Sequence, residues 1–416
     1  MFRPSRNYRV STAPAQLQKE ARVLSLDAST PPKPRHSFIS PLFHKVLLHV
    51  AAIRDRIRGC LFGNAIGDAY GLATEFMTTA MAKRLYGNGP IAFGTDPGYP
   101  VWEDEHRPIT DRNDFTDDTD QMLVMLQSLQ QTRDGILHPT NFAQRITEWG
   151  DYGVIEIGAD PGRGLGYTVG RVMSHRDFST NPHRAAFEVW DSAGRELAPN
   201  GAVMRTAVAG VERFWDEARV VENAMAAAKI THADPRSVVS ALISSVLISR
   251  FLRGGGLNAA EDQGRFLLQQ TQVAPPSNPG QRVQDEWVEA MESMCFPQSV
   301  KQLHLGESKS IGYTFKCIGV SYYGVTRRQD LAPTSPEYGG GEGLFRGLME
   351  QVTIEAGDAD TNCAVMGSLL GARFGLQGGI PENWWKNLQH LDWLEETIDA
   401  YADRILADYE AHAQTQ

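Results

Sequence analysis

Glycines recur every fourth residue at 59, 63, 67 and 71, inside a stretch whose apolar residues fall at helical steps. Val46, Leu47, Val50, Ile53, Ile57, Cys60 and Leu61 give the three- and four-residue spacing of a helix beginning near His44. Four glycines on one face of that helix remove the side chains that would hold a second helix away. Their spacing points to a close helix–helix contact rather than to catalysis. The same interval returns at Gly367, Gly371 and Gly375, in the helix expected over 362–374.

The rest of the pattern is helical as well. Helical stretches are expected at 119–132, 140–150, 236–251 and 391–409, with another opening at Asn200. Convincing strands are nearly absent, since Val352-Thr353-Ile354 is too short to argue for a sheet. There is no internal repeat, and the chain reads as all-α. Residues 1–43 are rich in Pro, Ser and Arg without a sustained period and read as a flexible basic leader. The domain is expected over 44–412, with insertions around 94–114 and 254–300.

Charge is unevenly distributed. Seven Lys and Arg against two acids give the first 40 residues +5, so a chain of net −10 leaves −15 on the remainder. An acidic body argues against general nucleic-acid binding and suits a protein that gathers cations, or simply a solvated surface. Four cysteines (Cys60, Cys295, Cys317 and Cys363) lie far apart with no CxxC pair. That argues against a disulfide framework or zinc site and fits a reducing compartment. A cytoplasmic location is expected, with mitochondrial or nuclear locations left open by the basic head. No apolar run approaches the length of a membrane span, so no membrane partner is expected.

Two acidic motifs carry the chemistry. Thr116-Asp117-Asp118-Thr119-Asp120 precedes the apolar helix from Gln121, and Asp358-Ala359-Asp360-Thr361 opens the helix of Gly367 and Gly371. Each can be read as a helix N-terminus, where acids and a capping threonine are favoured. Each can also be read as oxygen ligands for a hard divalent cation, Mg²⁺ or Mn²⁺ rather than zinc. Facing one another, the two could hold two ions, but periodicity does not show that they meet. The loop 94–114 carries Asp96, Glu103, Asp104, Glu105, Asp111 and Asp114, and reads as a lid over a site or a tolerated surface insertion. Asp160 to Gly170 holds four glycines, whose exposed N–H groups can cradle phosphate without matching a Walker A or dinucleotide fingerprint.

Taken in order, Gly67-Asp68-Ala69-Tyr70-Gly71 with Glu75, Thr116-Asp117-Asp118-Thr119, the 160–170 loop, Asn200-Gly201 with Met204-Arg205, Thr231-His232 and Gly357-Asp358-Ala359-Asp360-Thr361 resemble the ADP-ribosylglycohydrolase family. That group includes the dinitrogenase-reductase activating glycohydrolase, and the match spans roughly 46–410. The resemblance implies a compact, orthogonal multi-helix domain with a binuclear Mg²⁺ cleft, Mn²⁺ in some members. Carried over by position, the metal ligands are Thr116, Asp117, Asp118, Asp358, Asp360 and Thr361. Glu75, Asp118 and Asp360 fall at catalytic positions, able to polarise a water. Gly164, Gly166, Asn200, Gly201 and His232 fall at positions lining the ADP-ribose cleft. The first glycine of the usual Gly-Gly-Asp is Ala356 here, and the loops at 94–114, 254–300 and 333–343 depart from many members.

The activity implied is hydrolysis at C1″ of an ADP-ribosyl group on a protein or a small derivative such as O-acetyl-ADP-ribose, by a monomer. A catalytically inactive ADP-ribose binder is the alternative. The leaving group (arginine, serine or acetyl) is not decided. Two other readings of the aspartates fail on identity: a DDxxD motif needs an acid where Gln121 stands, and DxDxT needs threonine where Asn362 stands.

Overall fold

The computed structural model describes residues 41–107, 112–255, 285–327 and 341–415. The chain divides into a first unit, Met1–Val46, and a body, Leu47–Gln416. Of the first unit only residues 41–46 are described, as the opening of a helix. The leader expected over 1–43 therefore lies outside the described residues as far as residue 40.

Among the described residues there are fifteen α-helices, short 3-10 turns and only isolated β-bridges. The body is all-α, as the sequence pattern implies. Val352, Thr353 and Ile354 sit inside the helix Gly341–Glu355. Their β-branched side chains are tolerated because all three are buried, and packing overrides a weak propensity.

The two glycine stripes meet each other. A Cβ on Gly59 would lie 2.5 Å from the Gly371 carbonyl oxygen, and one on Gly63 would lie 2.2 Å from that of Gly367. Gly67 faces the Cys363 carbonyl in the same way at 2.1 Å, and Gly71 faces that of Ala359 at 2.2 Å. Numbers rise on one helix as they fall on the other, so Pro41–Gly71 and Ala359–Phe374 pack antiparallel, backbone against backbone. This register has a functional consequence. It brings the end of the first helix against the start of the last glycine helix, where Asp358 and Asp360 stand.

The helix Pro235–Leu252 corrects one expectation. It is long and apolar enough to cross a membrane by length and composition, but 89% of it is buried inside the body. Five serines hide its hydropathy from a simple scan. Ser237 and Ser245 donate to the carbonyls of Pro199 and Thr206, tying the helix to the segment from Pro199 to Thr206. All four cysteines are free and buried.

Candidate active site

The first glycine helix stops at Gly71 and passes through a 3-10 turn, Leu72–Thr74, before Glu75. The Phe76 N–H then donates to the Gly357 carbonyl (2.7 Å), and the Gly357 N–H donates to Met77 (3.0 Å). Gly357 has φ +80°, and a Cβ there would lie 2.2 Å from the Leu305 carbonyl. This close approach sets Glu75 beside Asp358. Ala356, at φ +59°, occupies the left-handed region that a glycine would enter without strain.

The other acidic motif is held by Asp68, one residue after Gly67 in the seam. Its carboxylate accepts from the Thr116 N–H (3.0 Å) and hydroxyl (2.8 Å), and from the Thr119 N–H (3.0 Å) and hydroxyl (2.6 Å). A fully buried acid thus caps the helix Asp117–Gln130 from outside. Sequence reading quoted Asp68 within a motif but gave it no role. One helix therefore positions both halves of the site, one through its glycines and the other through Asp68.

The halves meet at a hydrogen bond from the Thr361 hydroxyl to Asp118 Oδ2 (3.1 Å). Asp117 Oδ2 accepts from Gln121 (2.8 Å), and Asp358 Oδ2 accepts from Asn200 (2.9 Å). Carboxylate oxygens of Glu75, Asp358 and Asp360 lie within 4.8 Å of one another. Asp118 Oδ1 and Asp360 Oδ1 are buried with no hydrogen-bond partner among the described residues. Burial first, and then like charge, pushes Asp117, Asp118 and Asp360 well above the usual carboxylate range. Orphaned oxygens in an all-oxygen donor set that repels itself fit a hard divalent cation.

Asp120 shows the opposite arrangement in the same turn. Arg163 grips both its oxygens at 2.9 Å, and the Trp149 indole donates at 3.1 Å, so its charge is fully committed to the fold. In a second group of potential ligands, His175, Asp177 and Glu188, the His175 ring meets Glu188 and accepts from the Asp177 backbone N–H, and Glu188 also accepts from Arg184.

Two chambers open onto the carboxylates, of about 570 and 520 Å³. Glu75, Asp117, Gly164 and Asp360 line both. All five residues expected to line the substrate cleft (Gly164, Gly166, Asn200, Gly201 and His232) line the second chamber, together with Tyr167, Lys309 and Tyr313. Thr116 lines the first. Gly164 and Gly166 differ in kind. A Cβ on Gly164 (φ +72°) would lie 2.5 Å from Asp117 Oδ1, whereas one on Gly166 would meet nothing within 4 Å.

A buried polar chain joins the carboxylates to that chamber. Gln121 bonds Asp117, Arg205 donates to Gln121 (2.8 Å) and to the Thr231 hydroxyl, and Thr231 meets His232 Nδ1 (2.8 Å). Burial, with Arg205 nearby, holds His232 well below its usual pKa, so it is neutral, and its Nε2 has no hydrogen-bond partner among the described residues. Gln121 and Arg205 were not singled out as site residues from sequence. Long polar side chains beside apolar helix positions are the signal they leave.

The described part of the 94–114 loop is anchored. Asp96 is held by Arg346, Asn383 and the Trp384 indole. Further on, His106 Nε2 meets Glu75 Oε2, and buried Arg107 donates to the carbonyls of Leu72 and Glu75. Sequence reading did not single out either residue.

The ADP-ribosylglycohydrolase family model matches residues 49–414. The chain belongs to that family. It is 25% identical to the ADP-ribosyl-[dinitrogen reductase] glycohydrolase of Rhodospirillum rubrum, over 86% of this chain and 97% of that one. It is 24% identical to ADP-ribosylhydrolase ARH3 of Mus musculus, over 82% of this chain and 89% of the relative. A solved chain described as an ADP-ribosylglycohydrolase-related protein complex superposes with a TM-score of 0.55 at 23% identity, covering 85% of this chain and 99% of that one. That likeness speaks for the fold. Membership makes this ADP-ribosylglycohydrolase-family chain a hydrolase of ADP-ribosyl groups.

Proposed function

We propose that this chain is a Mg²⁺-dependent hydrolase that cleaves the glycosidic bond at C1″ of an ADP-ribosyl group and releases ADP-ribose, with Mn²⁺ able to replace Mg²⁺. The observation that carries the reading is the pair of orphaned oxygens, Asp118 Oδ1 and Asp360 Oδ1, buried beside the two chambers. Thr116, Asp117, Asp118, Asp358, Asp360 and Thr361 are the residues that would hold the cations. Bound there, a cation supplies charge that orients ribose hydroxyls and makes a neighbouring water more acidic.

The chain's own residues do the rest. The glycine loop at Gly164 and Gly166 offers backbone N–H groups to the diphosphate. Asn200, Gly201 and neutral His232 line the same chamber and can bond the sugar and phosphate oxygens. Cleavage passes through an oxocarbenium-like state at C1″, which nearby carboxylates stabilise. Asp118, Asp360 or Glu75 polarises the attacking water; all three line the second chamber, and Glu75 and Asp360 line the first as well.

The substrate is an ADP-ribosylated protein or a small ADP-ribose derivative, acted on by a cytoplasmic monomer. Offering the purified protein arginine-, serine- and acetyl-linked ADP-ribose with Mg²⁺, and following ADP-ribose release, tests the activity and names the leaving group. Asp117→Ala and Asp360→Ala should each abolish release. Full activity in both variants rejects the metal reading. Tight ADP-ribose binding without turnover on any linkage leaves a binder instead of an enzyme.

A further inference from the structure

Glu75 meets both the carboxylate cluster and the 94–107 arm. Its Oε2 is met by His106 Nε2. A carboxylate can only accept, so the imidazole donates there. One carboxylate oxygen each of Glu75, Asp358 and Asp360 lies within 4.8 Å of the others.

The arm behind His106 is built to hold that contact in place. The Asp104 carboxylate accepts from the N–H groups of His106 (3.0 Å) and Arg107 (2.8 Å), closing a tight turn over 104–107. The Arg107 guanidinium, 5% exposed, pairs with Asp104 and reaches the carbonyls of Leu72 and Glu75. These carbonyls lie just past the end of the first glycine helix, and that of Leu72 also accepts from the Glu75 N–H (3.3 Å). Arg107 therefore ties the turn carrying His106 to the backbone carrying Glu75. The Phe76 ring, on a residue at φ +58°, lies tilted against the imidazole at 5.4 Å. His106 and Arg107 thus hold Glu75 by its side chain and by its backbone from outside the cluster, whereas Asp117, Asp118 and Asp358 are held by Gln121, Thr361 and Asn200.

We propose that His106 is a positioning residue for the cluster: by its bond to Oε2 it fixes the Glu75 carboxylate in place against the site formed with Asp358 and Asp360. Arg107 is the anchor that makes this possible. The inference rests on the reading of the carboxylates as a cation site and adds to it a residue outside both acidic motifs. The His106 side chain is 43% exposed, so its removal leaves the core intact.

The test measures Mn²⁺ affinity directly, by titration of the full chain, in wild type, His106→Ala, His106→Gln, Glu75→Gln and the double variant His106→Ala/Glu75→Gln. Loss of a group that orients a ligating side chain weakens metal binding about tenfold or more. His106→Ala should therefore raise the Mn²⁺ Kd about tenfold with an unchanged melting temperature. In turnover it should lower kcat more than it moves KM. His106→Gln, whose amide can still donate to Glu75, should restore most of the affinity. In the Glu75→Gln background, His106→Ala should add little, because its effect runs through Glu75. Wild-type affinity in His106→Ala overturns the proposal while leaving the cation site standing. An equal loss with and without Glu75 also overturns it, and a wild type that binds no Mn²⁺ removes the cation site and the proposal together.

Discussion

The first glycine helix ends in two very different environments, and both use the same few residues. Along its length, Gly59, Gly63, Gly67 and Gly71 press against the backbone of the last glycine helix with no space for even a methyl group. At its end, beside Glu75, two buried carboxylate oxygens have no hydrogen-bond partner among the described residues, and three aspartates are pushed toward protonation by burial and mutual repulsion. The seam is what stabilises the fold, and the cluster is what the stability supports. A buried charge left unpaired costs free energy, and proteins retain such sites where function requires them. Changes in the seam should therefore cost stability, whereas neutralising the cluster should raise it while removing activity.

The largest effect belongs to the seam. A Cβ at position 67 would lie 2.1 Å from the Cys363 carbonyl oxygen, and backbone cannot step aside as a flexible side chain can. Gly67→Val should destabilise the protein by more than about 3 kcal/mol, the upper range for overpacking a tight interior. Urea denaturation reads this directly. A variant as stable as wild type would mean that the two helices are not in this register.

The cluster should respond in the opposite sense. Asp360→Asn keeps the shape of the side chain and removes a buried like charge. Without divalent cations it should be more stable than wild type, by about 1–2 kcal/mol, and inactive. Melting in EDTA and in Mg²⁺ separates the two contributions, since only wild type should gain from the cation. A variant less stable than wild type in EDTA would make Asp360 a structural residue and dissolve the contrast.

Next in size is the pH dependence of the metal-free protein. Burial pushes Asp68 up to about 6, and pushes Asp117, Asp118 and Asp360 well above the carboxylate range. In the unfolded chain these groups lose their protons near pH 4. From there up through the raised values the folded form holds more protons than the unfolded one. Stability is therefore present at the acid end of that window and is lost as pH rises through about 6 and beyond, with a slope of about 1.4 kcal/mol per pH unit for each proton involved. Mg²⁺ should flatten the slope by taking the place of the protons. A metal-free stability that climbs from about pH 5 to about pH 8 would contradict this account.

How much of this could be read beforehand depends on how local each feature is. The helices at 119–132, 140–150, 236–251 and 391–409 were legible because periodicity is a local signal, and the two glycine stripes were legible one at a time, whereas Glu217–Lys229, Thr314–Thr326 and Gly341–Glu355 were not named beforehand. That the stripes face each other was not, because register between helices 300 residues apart is set only when both backbones are in place. Asp68 shows the same limit. An acid one residue after a seam glycine is visible, but its four donors lie about 50 residues further on. Ala356 was noted as standing where a glycine is usual, and only the backbone reveals that this position has φ +59°. His106 and Arg107 were hidden among the acids of their loop, where no spacing distinguishes a residue that reaches Glu75 from one that reaches water.

The smallest effect separates two glycines that the family pattern treats alike. Gly166 has extended backbone and open space where its Cβ would stand, in the chamber expected to receive ADP-ribose. Gly166→Ala should change stability by less than about 1 kcal/mol, the usual size of an alanine at a helix N-cap. Its methyl group occupies space that the substrate would use, so KM for an ADP-ribosyl substrate should rise several-fold with kcat nearly unchanged. Gly164→Ala, by contrast, forces a left-handed backbone and sets a methyl 2.5 Å from Asp117 Oδ1. It should lower Mn²⁺ affinity as well as raising KM, because it disturbs the carboxylate rather than the chamber. If both variants affect only KM, the glycine loop serves the substrate alone, and the close packing of Gly164 on Asp117 has no bearing on the cation site.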